Sequence, residues 1–368
     1  MKNKRRETQH KIVKYIHAIQ PGTICNLNCS YCYVQKLKDK GQPATFDYPV
    51  EHMIKALSKE RVGGTAFITY VGGGETLIPP ESIQLIRGLL ENGHLVNVTS
   101  NIVYSPGIDA LLEFPRDLLD RLSFTCSLHY VSLIERNKKE EFINSLNKFK
   151  QHDISYHVNM TIGEDYLPYL DEIKQWCLDE IGFLPTVTFA VDADNGWRRY
   201  PLFTYELVKE ITDKFLNSSV ATFEEYFGRE YRKEFCYIGD WGFILNLQTG
   251  NISACFQSPT TQNIFENLSE PIKYEAVGTC CATYCTMGPA FQAFGFLPDF
   301  DYVFPTYYGM YKDKMYVGGD FKEYLNNKLS ETNKKYSFLK KMYIKYKRYS
   351  SKEYRERIKQ AKSDKGVK

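Results

Sequence analysis

Cys25-Asn26-Leu27-Asn28-Cys29-Ser30-Tyr31-Cys32 sets three thiols in C-x3-C-x2-C spacing directly after the apolar run Tyr15 to Ile19. In repeating βα folds the active site gathers in the loops that follow the C-terminal ends of the strands. A thiol loop at that place marks the candidate site. Three thiolates ligate three corners of an iron–sulfur cubane, whereas a closed tetrahedral zinc site needs four ligands. A corner without a protein ligand is free to bind and polarise a small molecule. The competing reading is a structural zinc site completed by a distant His or Cys.

Outward from this loop, short apolar runs alternate with longer helical patterns to about residue 200, the rhythm of an α/β unit with a parallel sheet. The candidate strands are Tyr15 to Ile19, Ala66 to Val71, Leu95 to Thr99, Leu122 to Leu128, Tyr156 to Thr161 and Thr186 to Val191. Helical stretches are expected at Pro80 to Glu91, Lys138 to Lys150 and Leu170 to Ile181. Alternate residues in the strands differ in kind. Ser123, Thr125, Ser127 and His129 share one face of the fourth, opposite Phe124, Cys126 and Leu128. Asn97, Thr99 and Asn101, Asn159 and Thr161, and Thr186, Thr188 and Asp192 extend the polar face. A closed barrel fills its interior with branched apolar side chains, so a polar lining implies a hydrated or ligand-filled chamber.

Val71-Gly72-Gly73-Gly74-Glu75 follows the second strand. Glycines let backbone carbonyls approach a ligand without obstruction by Cβ. With Cys25, Cys29, Tyr31 and Cys32, this turn resembles the paired signature of the radical S-adenosylmethionine (radical SAM) superfamily, C-x3-C-x-aromatic-C and Gly-Gly-Glu. The resemblance covers roughly residues 15–200 and implies a partial (β/α)6, TIM-like barrel. It implies that Cys25, Cys29 and Cys32 hold a [4Fe-4S] cluster, that Tyr31 lies near the adenine of SAM, and that Gly73, Gly74 and Glu75 hold its amino group. Ser100, Asn101 and Ser127 stand nearest the positions that bind ribose and carboxylate, and Arg136 is a second candidate for the carboxylate. Two departures are Thr76, where Pro is common, and His129, where many relatives have Asp.

A second cluster reads C-x13-G-x4-C over Cys236, Gly250 and Cys255, and Cys280, Cys281 and Cys285 follow. Gly242 to Leu247 and Asn251 to Cys255 flank Gln248-Thr249-Gly250 as a β-hairpin. Four converging thiolates hold either a fully ligated [4Fe-4S] cluster or zinc. The pattern looks like the SPASM or twitch auxiliary-cluster extensions of radical SAM enzymes, with Cys236, Cys255, Cys281 and Cys285 as expected ligands and Cys280 the rival to Cys281. Cys126 and Cys177 sit on apolar faces and read as core.

The 368 residues carry 43% hydrophobic and 25% charged residues, which excludes disorder as the main state. No run is apolar enough for a membrane span, and Met1 to Lys14 has no signal-peptide character, so the expected compartment is the cytoplasm. Residues 334–368 hold fourteen Lys/Arg against Glu353, Glu356 and Asp364, a net of +11 against −8 for the remainder. Tyr336, Leu339, Tyr343 and Tyr346 recur every three to four residues there. This predicts a helix docked by its aromatic stripe with a solvated basic face, or a surface for an anionic partner. The expected division is a basic arm at 1–14, the barrel at 15–200, a helical linker at 201–235, the auxiliary-cluster domain at 236–300 and a C-terminal extension at 301–368.

The resemblance implies reductive cleavage of SAM to a 5′-deoxyadenosyl radical, an external electron donor such as a flavodoxin or ferredoxin, and hydrogen abstraction from an unactivated C–H bond. His129, Asp192 and Asp194 are the candidate acid–base groups. A peptide or protein side chain is the expected substrate, by analogy with auxiliary-cluster enzymes. The alternatives are a sugar, nucleotide-sugar or other small intermediate, and, from another class, a non-catalytic zinc or iron–sulfur protein that binds nucleic acid.

Overall fold

The computed structural model describes residues 11–36, 40–192, 198–199, 202–227, 233–280, 282, 285 and 287–363. Six parallel strands lie side by side in chain order: β1 (Lys14–Gln20), β2 (Ala66–Gly72), β3 (Leu95–Ser100), β4 (Leu122–Ser127), β5 (Ser155–Ile162) and β6 (Thr186–Phe189). This is the expected partial barrel, with strand ends within a few residues of those read from alternation. The sixth strand ends early, because Val191–Asp192 leaves the sheet to pair with Arg198–Arg199. The helix α1 (Pro80–Glu91) opens on a proline that fixes φ where no N–H partner is needed, and it buries Leu85, Ile86, Leu89 and Leu90 along one stripe. The helices α2 (Lys139–Gln151) and α3 (Leu170–Trp176) follow β4 and β5, and α3 continues as a π-turn through Ile181 to Gly182 at φ +92°. The helix α4 (Ser218–Phe227) lies within the segment 201–235 expected as a linker.

The strands have two differently filled faces. Ile16, Ala18, Ile68, Tyr70, Val96, Val98, Phe124 and Cys126 pack outward beneath the helices as the larger core. Cys126 and Cys177 are both fully buried in it. Inward, the N-terminal ends of the first strands present Tyr15, Phe67 and Leu95, and these are covered by aromatic rings from far along the chain. The covering segments are α5 (Gly288–Ala293) and α6 (Tyr307–Tyr311). Tyr15 meets Phe291 and Phe294 at centroid separations of 5.0 and 4.9 Å, Phe67 meets Tyr307 at 5.4 Å, and Tyr311 stacks on His157 at 4.3 Å. Burying each such ring stabilises the fold by about 1.5–3 kcal/mol. The polar chamber expected inside the barrel is therefore confined to its C-terminal half.

Beyond β6 the chain returns to the same sheet. A short pair, β7 (Phe235–Cys236) with β11 (Gly278–Thr279), brackets the hairpin β8 (Gly242–Asn246) and β9 (Asn251–Ser253), which β10 (Thr260–Asn263) extends. The strand β8 adds in parallel to β1, with Tyr15 opposite Gly242 and Ile19 opposite Asn246. A Cβ on Gly242 would stand 2.5 Å from the Tyr15 carbonyl oxygen, which is why glycine starts this strand. At the other edge, β12 (Met315–Tyr316) pairs antiparallel with the beginning of β5.

The C-terminal helices α7 (Phe338–Ser350) and α8 (Lys352–Ser363) form as expected, but α7 docks the other way round. Leu339, Tyr343 and Tyr346 are 78%, 63% and 75% exposed, whereas Ile344 is 2% exposed against the bare backbone of Gly278. The smooth surface of a glycine strand accepts one branched side chain closely, and that contact, with Tyr336 stacked edge-on against Tyr237 and Phe235, sets the helix orientation.

His94 pins the start of β2 to the preceding loop. Its Nδ1 accepts from the Ala66 amide at 3.0 Å, and its Nε2 faces the Leu57 carbonyl at 2.8 Å, which defines a neutral tautomer. Burial lowers its pKa from 6.5 to about 4. The folded value lies below the unfolded one, so the associated stability is present above pH 6.5 and is lost as pH falls toward 4, by roughly 3 kcal/mol in all. Denaturant midpoints at pH 7 and pH 4.5 should differ accordingly, and His94→Gln should narrow the difference.

Candidate active site

The cysteine loop leaves β1 and is clasped by the turn that follows β2. The Glu75 amide donates to the Ile24 carbonyl at 2.8 Å. A Cβ on Gly74 would lie 2.0 Å from that same carbonyl oxygen, and one on Gly73 would lie 3.0 Å from the Gly22 oxygen. The space that Gly74 leaves is thus taken by the chain's own cysteine loop, while Gly73 also borders a cavity beside it. Glu75 is buried and turns inward: Ser100 Oγ donates to its Oε1 at 2.6 Å, and the Asn101 and Leu77 amides donate at 2.9 and 3.2 Å. Burial raises its pKa, and these hydrogen bonds oppose the shift. Ser100 and Asn101 are also buried and spend their polar atoms on the protein. Asn101 Nδ2 donates to Asn26 Oδ1 at 2.7 Å and points at Cys25 Sγ, 3.8 Å away. They support Glu75 and Cys25.

Tyr31 and His129 meet across the mouth of the barrel, with the hydroxyl 2.5 Å from Nδ1. Desolvation lowers the His129 pKa to about 4, so the imidazole is neutral at physiological pH. After β5, Asp165 accepts from Ser30 Oγ at 2.7 Å and Tyr166 packs edge-on to Tyr31 at 5.7 Å. Neither residue was expected at the site; the available signal was Gly163 directly after the fifth strand, where a Cβ would strike Tyr31 at 2.9 Å. Ser127 faces the half-open interior beside Thr125, which donates to Asn97 Oδ1 at 2.8 Å. Asp192 lies past the end of β6, paired in register with Arg198. Asp194 lies outside the described residues. Arg136 is exposed at the end of the helix Tyr130–Glu135.

Two adjoining cavities open beside the loop. One of about 350 Å³ is lined by His17, Gln20, Gly72, Gly73, Asn246, Gln248 and Phe256, among others. The second, of about 310 Å³, shares Ile19, Asn246 and Phe256 with it and reaches Cys255. His17, another residue missed in the sequence, sits on the inner face of β1 with its Nδ1 3.3 Å from the Tyr15 hydroxyl and Phe256 edge-on at 5.5 Å. Its pKa is lowered by burial to about 4.

The second thiol cluster assembles from β7, the turn after β9 and the chain after β11. Cys236, Cys255, Cys280 and Cys285 lie close enough to act on one another electrostatically. Cys281 lies outside the described residues. Burial holds the Cys285 thiol up at about 12 and Cys236 well above its usual range, so ligation must displace their protons.

Both sets of thiols suit iron–sulfur clusters. N–H groups are aimed at the sulfurs, from Leu27 to Cys25 at 3.5 Å, from Ala282 to Cys280 at 3.4 Å and from Gln292 to Cys285 at 3.7 Å, and such donors stabilise cluster thiolates. Cys25, Cys29 and Cys32 likewise act on one another. Among the described residues no group of three His, Cys, Asp or Glu side chains is placed to hold a single metal ion.

The family model of the radical SAM superfamily matches residues 19–177. Streptococcus suis SuiB bound to S-adenosylmethionine shares the fold at 13% identity and a TM-score of 0.50, over 72% of this chain and 68% of that one. SuiB bound to its precursor peptide SuiA aligns at 14% identity and a TM-score of 0.48, over 72% and 67% of the two chains. Native anSMEcpe with bound AdoMet aligns at 12% identity and a TM-score of 0.47, over 69% and 79%. No curated protein matches the chain.

Proposed function

Starting from a radical SAM domain at residues 19–177, which takes a [4Fe-4S] cluster and SAM, we propose that this enzyme abstracts hydrogen from an unactivated C–H bond of a peptide or protein side chain. Cys25, Cys29 and Cys32 would hold the SAM-binding cluster, and Cys236, Cys255, Cys285 and either Cys280 or Cys281 an auxiliary one. When bound, the cluster and SAM would supply one-electron reductive cleavage and hydrogen abstraction, with the electron coming from an external donor. The chain's own residues position and shield. Asn101 and the Leu27 amide steady Cys25, the Gly-Gly-Glu turn fixes the loop, and the aromatic plug keeps water out of the barrel from below.

The observation that carries the peptide reading is the pair of joined cavities. Among the described residues their lining has no Lys, Arg, Asp or Glu; it offers the amides of Gln20, Asn246, Gln248 and Asn251 beside Phe256. A diphosphate would call for cations there, whereas an extended neutral chain finds donors and acceptors spaced along the hairpin. His17 in this wall and His129 at the mouth are both held neutral by burial, so each offers a ring nitrogen as a hydrogen-bond partner for a bound amide. The test is anaerobic turnover with reductant, SAM and uniformly deuterated candidates. Deuterium should enter 5′-deoxyadenosine from peptides, and transfer only from sugars would refute the peptide assignment.

A further inference from the structure

The solvent-facing side of α7 is built as an apolar surface. Phe338, Leu339, Met342, Tyr343 and Tyr346 are 74%, 78%, 51%, 63% and 75% exposed. At about 100° per residue they fill an arc of about 140° that contains no charged residue. Lys341 and Lys345 border the arc on one side and Lys340 and Lys347 on the other, and α7 holds no acidic residue. The Lys340 ammonium lies 3.5 Å over the Tyr336 ring, the Lys341 ammonium 5.2 Å over the Phe235 ring, and Lys347 turns to Glu275, so Lys345 is the border residue aimed outward. The opposite side is anchored by Ile344 on Gly278, by the ion pair of Lys347 with Glu275 at 2.8 Å, and by the Tyr354 hydroxyl on the Thr279 carbonyl. In an ordinary docked helix the apolar stripe faces the body. Here a second stripe faces water, and solvating five large side chains is unfavourable unless something covers them.

We propose that α7 is an interfacial helix that docks the enzyme on an anionic lipid surface. Charge complementarity selects this occupant. Lys345 at the margin of an apolar arc rich in tyrosine matches the depth profile of a bilayer interface, with rings at headgroup level and the ammonium group against lipid phosphates. The following helix α8 carries Arg355, Arg357 and Lys359, with Lys352 paired to Glu356 at 3.9 Å and Glu353 as the other acidic residue. A second copy of the chain is disfavoured because two α7 faces would bring their lysine borders together. An acidic protein is disfavoured because lysine is depleted at protein interfaces and the charges here stand at the margins of the arc. Since α7 packs on β11, docking would hold the Cys236 and Cys280 end of the molecule toward the lipid.

The test uses the full-length, anaerobically reconstituted protein and sucrose-loaded vesicles, of phosphatidylcholine alone or with phosphatidylglycerol. Sedimentation with the anionic vesicles, weakened by salt, is expected. Lys345→Glu should reduce partitioning by about fivefold or more, and the combined Leu339→Ser, Tyr343→Ser, Tyr346→Ser variant by about tenfold or more. These side chains face solvent, so the variants should melt as the parent does. Failure to bind anionic vesicles overturns the proposal, as does unchanged binding of the triple variant. Binding to poly-glutamate without vesicle binding would assign the face to an acidic protein, and self-association lost in the triple variant, again without vesicle binding, to a second copy; either refutes the lipid assignment. The readout is independent of turnover, so its failure leaves the proposed chemistry untouched.

Discussion

Cys29→Ala protein, reconstituted anaerobically with iron and sulfide, should form 5′-deoxyadenosine at the background rate, a loss of about three orders of magnitude or more. Cys29 is the most buried of the three loop thiols, and the other two act on it directly. Removing it leaves Cys25 and Cys32, two ligands for a cluster that already offers one corner to substrate. The protein should still fold, because the loop is also held by the Glu75 amide on Ile24 and by Asp165 on Ser30. Iron content separates this loss from unfolding. It should fall from about eight to about four atoms per chain, the remainder residing with Cys236, Cys255, Cys285 and their partner. A variant that lost all iron would place the two sites in one unit and contradict the division drawn here.

Gly74→Ala should be nearly as damaging by a different route. The new methyl would begin 2.0 Å from the Ile24 carbonyl oxygen, with its carbon at 2.7 Å, and both atoms are backbone, so neither can turn aside. Relief requires the cysteine loop to move off the β2 turn, breaking the bond from the Glu75 amide to Ile24. Overpacking of this kind costs about 1–3 kcal/mol in stability. Displacing Cys25 relative to Asn101 should cost about a hundredfold in turnover, because positioning at a reacting centre tolerates shifts of less than about 1 Å. Thermal melting and single-turnover SAM cleavage report the two effects separately. Parental turnover would show that the loop and the Gly-Gly-Glu turn act independently.

Much of this was legible because local chemistry dictated it. The alternation of Ser123, Thr125 and Ser127 with Phe124 and Cys126 identified both the strand and its inward face, since one polar row and one apolar row cannot exchange sides without burying hydroxyls in the helix-facing core. The Cys25 loop and the Gly-Gly-Glu turn were conspicuous in sequence, and the structure brings them into contact. What sequence left hidden depends on partners far along the chain. Phe291, Phe294, Tyr307 and Tyr311 fill the lower barrel from beyond residue 290, so the chamber is shorter than its polar lining suggested. The parallel addition of β8 to β1 depends on a register between residues more than two hundred positions apart. The sequence does not decide the orientation of α7, because the helix carries two candidate faces and Gly278 favours the branched Ile344 over the aromatic stripe. The inward turn of Glu75 depends on Ser100 and the Asn101 amide on a neighbouring strand, a pairing that spacing alone does not reveal.

The central claim is that Cys25, Cys29 and Cys32 hold a cubane with one corner left for SAM. The most direct measurement is the low-temperature electron paramagnetic resonance spectrum of the reduced, reconstituted protein with and without SAM. One cluster's signal should shift in g values when SAM is added, while that of the proposed auxiliary cluster, with four thiolate ligands, should not respond. Spectra that superimpose at saturating SAM would mean that no corner is open, and would contradict the account.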